Sequence, residues 1–241
     1  MRLLRGLATL VFLLALPVAL LASNARLLAN NLSFYQWGYE RQASYESTGI
    51  PKEELDRATR EMISDFNSAD DFSKIQVRAG GRTFPLFNER DVVHLQDVRG
   101  LIQLNYLIQE ISLAYLFVFS VAFLLRRNGR PMARLAWPWM LGGVFTTCLL
   151  IAVGLAMFLD FDRLFLQFHL VSFSNEFWML DPATSYLIRM VPEGFFMDLA
   201  VSVAGLALVQ AVALTAIAWG TLAWQKRSSF PHGTISLLSS L

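Results

Sequence analysis

Charge is scarce in this chain. Of 241 residues, 16% are Asp, Glu, Lys or Arg and 55% are hydrophobic. A soluble domain carries about 25% charged residues, so much of this surface faces something other than water. The formal net charge is +1, and no face dense in Lys and Arg is visible, which excludes nucleic acid as a partner. Cysteine is nearly missing as well. Cys148 stands alone, which rules out an internal disulfide and a cysteine-built metal cage. Inside an apolar run it reads as a small buried hydrophobe rather than a reactive thiol. Histidine is rare too: His94, His169 and His232 are all there are, and none belongs to an HExxH pair.

Long apolar runs take the place of charge. A membrane-spanning helix needs about 20 mostly apolar residues, and four segments qualify: 7–25, 106–125, 135–159 and 199–224. They divide the chain into a first span within 1–25, an outer segment 26–105, a second span 106–125, a basic loop 126–134, a third span 135–159, a second outer segment 160–197, a fourth span within 198–225 and a tail 226–241. The first run is similar to a secretory signal, with Arg2 and Arg5 ahead of it and LLASNA near its end. Its uncharged length exceeds a usual signal core, so it is read as a retained anchor that tolerates Pro17 as a kink.

Lys and Arg mark cytoplasmic loops and tails. RRNGRPMAR supplies Arg126, Arg127, Arg130 and Arg134 without an acid, and the two tails supply Arg2, Arg5, Lys226 and Arg227. The chain therefore reads as a multi-pass protein of a cytoplasmic membrane, N-in and C-in. Segments 26–105 and 160–197 then share the extracytoplasmic face, and His94 and His169 with them; His232 falls on the tail as a solvated residue. Within the spans, Glu110 lies near one outer end, and Gln210 and Thr215 are the most polar residues deep in the fourth. Transporters place ionisable groups or broken helices at mid-membrane, so conduction is not indicated.

The outer segments are patterned. After Pro51, the residues Leu55, Ala58, Met62 and Phe66 recur at helical spacing and predict an amphipathic helix. Ile75 and Val77 alternate with polar residues before Gly80 and Gly81, which predicts a hairpin. Asn88 is placed to cap a helix starting at Glu89, with Asp91 in its first turn, that runs on into the second span with a bend at Gly100. His94 and Asp97 lie three residues apart on that helix and share a face. The second outer segment is too aromatic for an exposed loop: Phe165, Phe168, Phe173, Phe177, Trp178, Phe195 and Phe196 suit the headgroup region. Among them stand His169, Asn175, Glu176, Asp181, Arg189 and Glu193, polar groups that are costly to bury unpaired. The fold class is a mainly α membrane protein, with four transmembrane helices, a small α+β extracytoplasmic domain of amphipathic helix plus β-hairpin, and an aromatic interfacial segment.

ERDVVHLQDVR before the second span, together with FHLVSFSNEFWMLDP and VPEGFF before the fourth, resembles the bacterial lipoprotein intramolecular transacylase family over essentially the whole chain. The resemblance implies an enzyme that moves the sn-2 acyl chain of a diacylglyceryl-cysteine lipoprotein to the cysteine α-amino group, giving the lyso form. No cofactor, metal, nucleotide or external acyl donor is implied; the partners are a diacylated lipoprotein and membrane lipid. An α-amino group has a pKa of about 7.7 to 8.0 and must lose a proton before it attacks, and an imidazole can remove it. On this reading His169 is the principal base and His94 its partner in proton transfer or oxyanion binding. Asp97 orients His94, Asn175 and Arg189 polarise the carbonyl, and Trp178, Phe195 and Phe196 shape the lipid pocket.

Two rivals remain open on the residues alone. His94, His169 and Asp97 could ligate a divalent ion with an open position. A non-enzymatic four-span scaffold or sensor could use the outer domain to bind a lipid or peptide. A histidine pair on one face is a feature that binding does not require.

Overall fold

The computed structural model describes residues 2–125 and 131–227. Arg126, Arg127, Arg130 and His232 lie outside the described residues. The helices are α1 (Arg2–Ala29), α2 (Leu32–Arg41), α3 (Ser44–Thr48), α4 (Lys52–Phe66), α5 (Glu89–Leu124), α6 (Pro131–Leu159), α7 (Phe161–Ser172), α8 (Tyr186–Met190) and α9 (Glu193–Arg227). Strands β1 (Gln76–Ala79) and β2 (Arg82–Pro85) lie between α4 and α5.

Four of these helices, α1, α5, α6 and α9, are long and apolar enough to cross a bilayer. Their apolar windows are only 17–28% buried within the protein, so their outward faces are matched to lipid. Helices α6 and α9 pack tightly because of one glycine. A Cβ on Gly143 would stand 2.2 Å from Thr215 Oγ1 and 2.9 Å from the Ala211 carbonyl, the small-residue approach that replaces hydrophobic driving force inside lipid. Buried Asn24 of α1 and Gln210 of α9 exchange amide hydrogen bonds of 2.8 and 3.2 Å. On its other side α1 binds α5: Asn105 donates to the Ala22 carbonyl (3.1 Å), Gln109 to Ser23 Oγ (3.1 Å), and Arg26 pairs with Glu110 (3.1 Å). Cys148 is exposed on α6 rather than enclosed by protein, because an apolar run records burial without saying whether lipid or protein covers it.

Helix α5 has 36 residues and is about 54 Å long, against a hydrocarbon core of about 30 Å. Roughly its first 16 residues therefore stand outside the membrane. Asn88 accepts from the Asp91 amide and Asp91 accepts from the Asn88 amide, a reciprocal cap that starts the helix. The helix continues through Gly100 without interruption.

The outer domain wraps this projecting end. Leu55, Ala58, Met62 and Phe66 form the buried stripe of α4, as their spacing demands. They meet Val77 of the hairpin and Tyr39 of α2 in one core. The hairpin turns at Gly80 and Gly81, whose φ values of +57° and +75° are the pair that a two-residue turn of this hand requires, and its register sets Val77 opposite Phe84. Helices α2 and α3 were not foreseen in the sequence. The buried face of α2 is Tyr35, Gly38 and Tyr39, two half-polar rings and a glycine, which carry little of the apolar periodicity that marks a helix.

Candidate active site

His94 occupies the second turn of α5, and the cap and first turn before it bind the second outer segment. Buried Asp91 accepts from the Ser185 hydroxyl (2.6 Å), and Ser185 in turn caps α8 through the Ile188 amide. Burial pushes the Asp91 carboxyl above the usual carboxylate range, against the hydrogen bonds from Ser185 and Asn88. Asn88 Nδ2 donates to the Thr184 carbonyl (3.1 Å). Arg90 donates to the Glu176 carbonyl and lies 5.6 Å from the Phe177 ring centroid. The segment 173–185 is thus strapped across the outer end of α5.

His169 stands near the end of α7, a helix begun by Asp160, whose carboxylate accepts from the Arg163 amide (3.1 Å). Its Nδ1 lies 2.7 Å from the Phe165 carbonyl one turn back. A carbonyl only accepts, so Nδ1 carries the proton, and in the neutral ring Nε2 is left with a lone pair.

The two imidazoles face each other. Their ring centroids are 6.3 Å apart and their planes differ by 28°; each residue is less than a tenth exposed. Phe165, Trp178 and Phe168 surround His169 at centroid distances of 4.3, 4.9 and 5.5 Å. Phe173 touches both rings, at 5.0 Å from His94 and 5.5 Å from His169. Burial, followed by the neighbouring His169, pushes the His94 pKa down to about 4, and Asp97 acts in the opposite sense. His94 is accordingly a neutral ring at neutral pH. Its Nδ1 is buried and has no hydrogen-bond partner among the described residues, a costly state for a polar atom unless something else is to occupy the space beside it.

The other residues singled out in the sequence divide. Asp97 directs a carboxylate oxygen to Asn175 Nδ2 (2.8 Å), and Asn175 Oδ1 accepts from the Phe177 amide (3.0 Å). The pair fixes the loop that carries Trp178, and Asp97 reaches His94 through its charge. Arg189 is committed elsewhere: Nε donates to the Ser185 carbonyl (3.2 Å), Nη1 points to the Ser47 carbonyl (3.5 Å), and the guanidinium lies 4.0 Å over Tyr186. It ties α8 to α3 and is not presented to the histidines. Phe195 is buried in the outer core, stacked on Tyr35 at 5.4 Å and seated on Gly38. Phe196, by contrast, packs on Phe165 at 5.3 Å, behind the ring that touches His169. Arg90 was passed over in the sequence, although it lies one helical turn before His94, where a cation can reach whatever covers that face. Among the described residues no three His, Cys, Asp or Glu side chains are grouped to hold a metal ion.

A family model for the lipoprotein intramolecular transacylase Lit matches residues 10–196. The chain belongs to the Lit family. It is a membrane acyltransferase of that family. An uncharacterized protein of Aquifex aeolicus is 28% identical over 199 residues, 80% of this chain and 85% of that protein. The fold is similar to the membrane integral lipoprotein intramolecular transacylase Lit from Bacillus cereus, with a TM-score of 0.75 at 19% identity, covering 95% of this chain and 100% of that one. A structure of the same Bacillus cereus protein in which one histidine is replaced by alanine gives a TM-score of 0.70 at 19% identity, covering 93% of this chain and 96% of that one. The matched range includes both histidines of the facing pair.

Proposed function

We propose that this Lit-family chain acts at the extracytoplasmic face of a bacterial cytoplasmic membrane, with both termini inside. There it moves the sn-2 acyl chain of a diacylglyceryl-cysteine lipoprotein to the cysteine α-amino group. The observation that carries this reading is the facing pair of buried imidazoles, one with a lone pair free and one with an unpartnered ring nitrogen, in an aromatic enclosure above the spans. Arg5, Arg134, Lys226 and Arg227 lie at the opposite end of the four helices, as a cytoplasmic side requires.

His169 Nε2 takes one proton from the α-ammonium and passes it to water; the freed amine attacks the ester carbonyl, and Nε2, neutral again, takes a second proton from the attacking nitrogen. The N–C bond closes a cyclic tetrahedral species of roughly eight ring atoms, so donor and acceptor are already tethered and much of the entropic cost is met before reaction. His94, held neutral by burial, offers a ring N–H to the developing oxyanion in a setting of low dielectric. On collapse the ester C–O bond breaks, and the glyceryl oxygen receives the second proton that His169 removed. Two N–H bonds of the ammonium are lost, one O–H is formed on glycerol and one proton goes to water, so the reaction is redox-neutral and needs no co-reactant. Asp97 and Asn175 position Trp178 against His169, and Trp178 and Phe196 with Phe165 line the apolar side where acyl chains lie.

The test is expression in cells that make only diacylated lipoproteins, followed by mass spectrometry of a reporter lipopeptide. Migration conserves mass, so the readout is fragmentation that moves one acyl chain from glycerol to nitrogen. A fragmentation pattern identical to that of cells without the chain would refute the proposal and favour a binding scaffold.

A further inference from the structure

A second polar site lies at the membrane boundary, away from the histidines. Arg26, Leu27, Asn30, Asn31, Ser33 and Asn67 line an open pocket of about 500 Å³ where α1 ends, α2 begins and α4 stops. Arg26 stacks over Tyr106 at 4.1 Å, and Tyr106 lies 12 residues along α5 from His94, about 18 Å of helix. Exposed Leu27 and Leu107 lie at the same level, so the pocket is at headgroup depth.

The side-chain hydrogen bonding of this pocket is lopsided. Asn30 spends both amide hydrogens, on the Arg26 carbonyl (2.7 Å) and on Tyr106 Oη (2.6 Å). Asn67 does the same toward Asn30 Oδ1 (2.6 Å) and the Ile63 carbonyl (2.8 Å), and its own Oδ1 accepts from the Tyr106 hydroxyl (3.1 Å). Asn31 Oδ1 accepts from the Phe34 amide (3.3 Å). The three side-chain amide oxygens are therefore occupied. What is left over among the described residues is a set of donors: Nε and Nη2 of Arg26, whose Nη1 alone serves Gln109 and Glu110, Nδ2 of Asn31, and the Ser33 hydroxyl. No carboxylate lines the pocket. A guanidinium edge beside neutral donors, with the amide oxygens engaged, fits an oxyanion.

We propose that this pocket holds the headgroup phosphate of an outer-leaflet phospholipid, with its chains beside Leu27. A diacylglyceryl lipoprotein has no phosphate, so this lipid is distinct from the substrate of the histidine site. It bridges Arg26 of α1 and the start of α2, and Asn30, bonded to Asn67, links that bridge to the end of α4, which seats the outer domain on the bilayer.

Native mass spectrometry of the full chain in detergent tests this with three probes: phosphatidylglycerol, diacylglycerol of the same chains, and inorganic phosphate. The wild-type protein retains phosphatidylglycerol at least five-fold over diacylglycerol. Arg26→Gln lowers that retention at least five-fold, but it also breaks the ion pair to Glu110. Ser33→Glu touches no hydrogen bond of the described residues, introduces a repelling carboxylate, and lowers retention by a similar factor, while His169→Ala leaves it unchanged. Equal retention of diacylglycerol, or full retention by Ser33→Glu, overturns the proposal. Displacement of the lipid by millimolar inorganic phosphate overturns it too, since it marks a site for the free ion.

Discussion

Two regions of this molecule are built from the same materials, and they differ in what is left unpaired. The core of the outer domain sets Tyr35, Tyr39, Tyr45 and Phe195 against one another, and its polar groups answer each other: Tyr39 bonds Thr59 (2.9 Å), Asp56 accepts from Gln36 and Tyr45 (2.7 Å each), and Ser44 donates to the Met190 carbonyl (2.8 Å). The enclosure around His169 is just as aromatic, yet it contains a buried ring nitrogen of His94 with no partner among the described residues. Aromatic packing alone therefore does not separate a stabilising core from a reactive cleft. Incomplete pairing does, because a buried polar atom without a partner lowers stability and persists only where the vacant bond has a use.

The sharpest way to break this contrast is to remove one imidazole. His169→Ala and His94→Ala are each expected to lower acyl migration by about 10² to 10⁴-fold, read by fragmentation of a reporter lipopeptide, with unchanged membrane insertion and chromatographic behaviour. Near-normal migration in both variants would show that the pair has no part in proton transfer.

Next in size is a pH effect. In the unfolded chain His94 titrates near 6.5, whereas in the folded protein its pKa is pushed down to about 4. Between those values the unfolded chain holds a proton that the folded one lacks, so stability is complete above the unfolded value and falls as pH drops through this window. The loss at pH 4 from this group alone is about 3 kcal/mol. Thermal unfolding in detergent between pH 7 and pH 4.5 should be steeper with pH for the wild type than for His94→Asn. Parallel curves would mean that burial of His94 does not shift its titration.

The closed core is tested by Gly38→Ala. The added Cβ would stand 2.5 Å from the Phe195 ring, and overpacking of this kind costs about 1 to 3 kcal/mol, measured as a fall in unfolding temperature. An unchanged midpoint would show that α2 can shift from α9 freely. The smallest effect is expected from Asn175→Ala, which releases the bond to Asp97. The loss is about 1 kcal/mol of positioning, read as a several-fold drop in migration with little change in unfolding temperature. A drop in stability without a drop in rate would make the pair a structural clamp only.

Much of the architecture was legible because its signals are periodic. Four apolar runs, the stripe Leu55, Ala58, Met62 and Phe66, and the Gly80–Gly81 turn each obey a repeat or a steric rule that does not depend on the rest of the chain. Helices α2 and α3 escaped because the inward face of α2 is Tyr and Gly and that of the five-residue α3 is Ser44 and Thr48, whose burial is decided by tertiary partners such as Phe195 on Gly38 and the Met190 carbonyl on Ser44. At the site, the two adjacent phenylalanines were expected to share the pocket. Neighbours on a helix point about 100° apart, so Phe195 enters the core while Phe196 turns toward Phe165. Arg189 offered no clue to its destination, since its partners are backbone carbonyls of Ser185 and Ser47, which no side-chain pattern records. Asp97 shares a helical face with His94, as its spacing says, but its free oxygen went to Asn175, 78 positions away.

The unbroken course of α5 makes it a lever. Its fulcrum is the Arg26–Glu110 pair at the lipid boundary, and His94 rides roughly 24 Å beyond that point. A five-degree change of tilt would swing the imidazole by about 2 Å, a third of its distance from His169. Bilayer thickness, which sets how far such a rod leans, would alter the spacing of the pair only as far as the bonds from Asn88, Asp91 and Asp97 to the second outer segment let α5 move by itself.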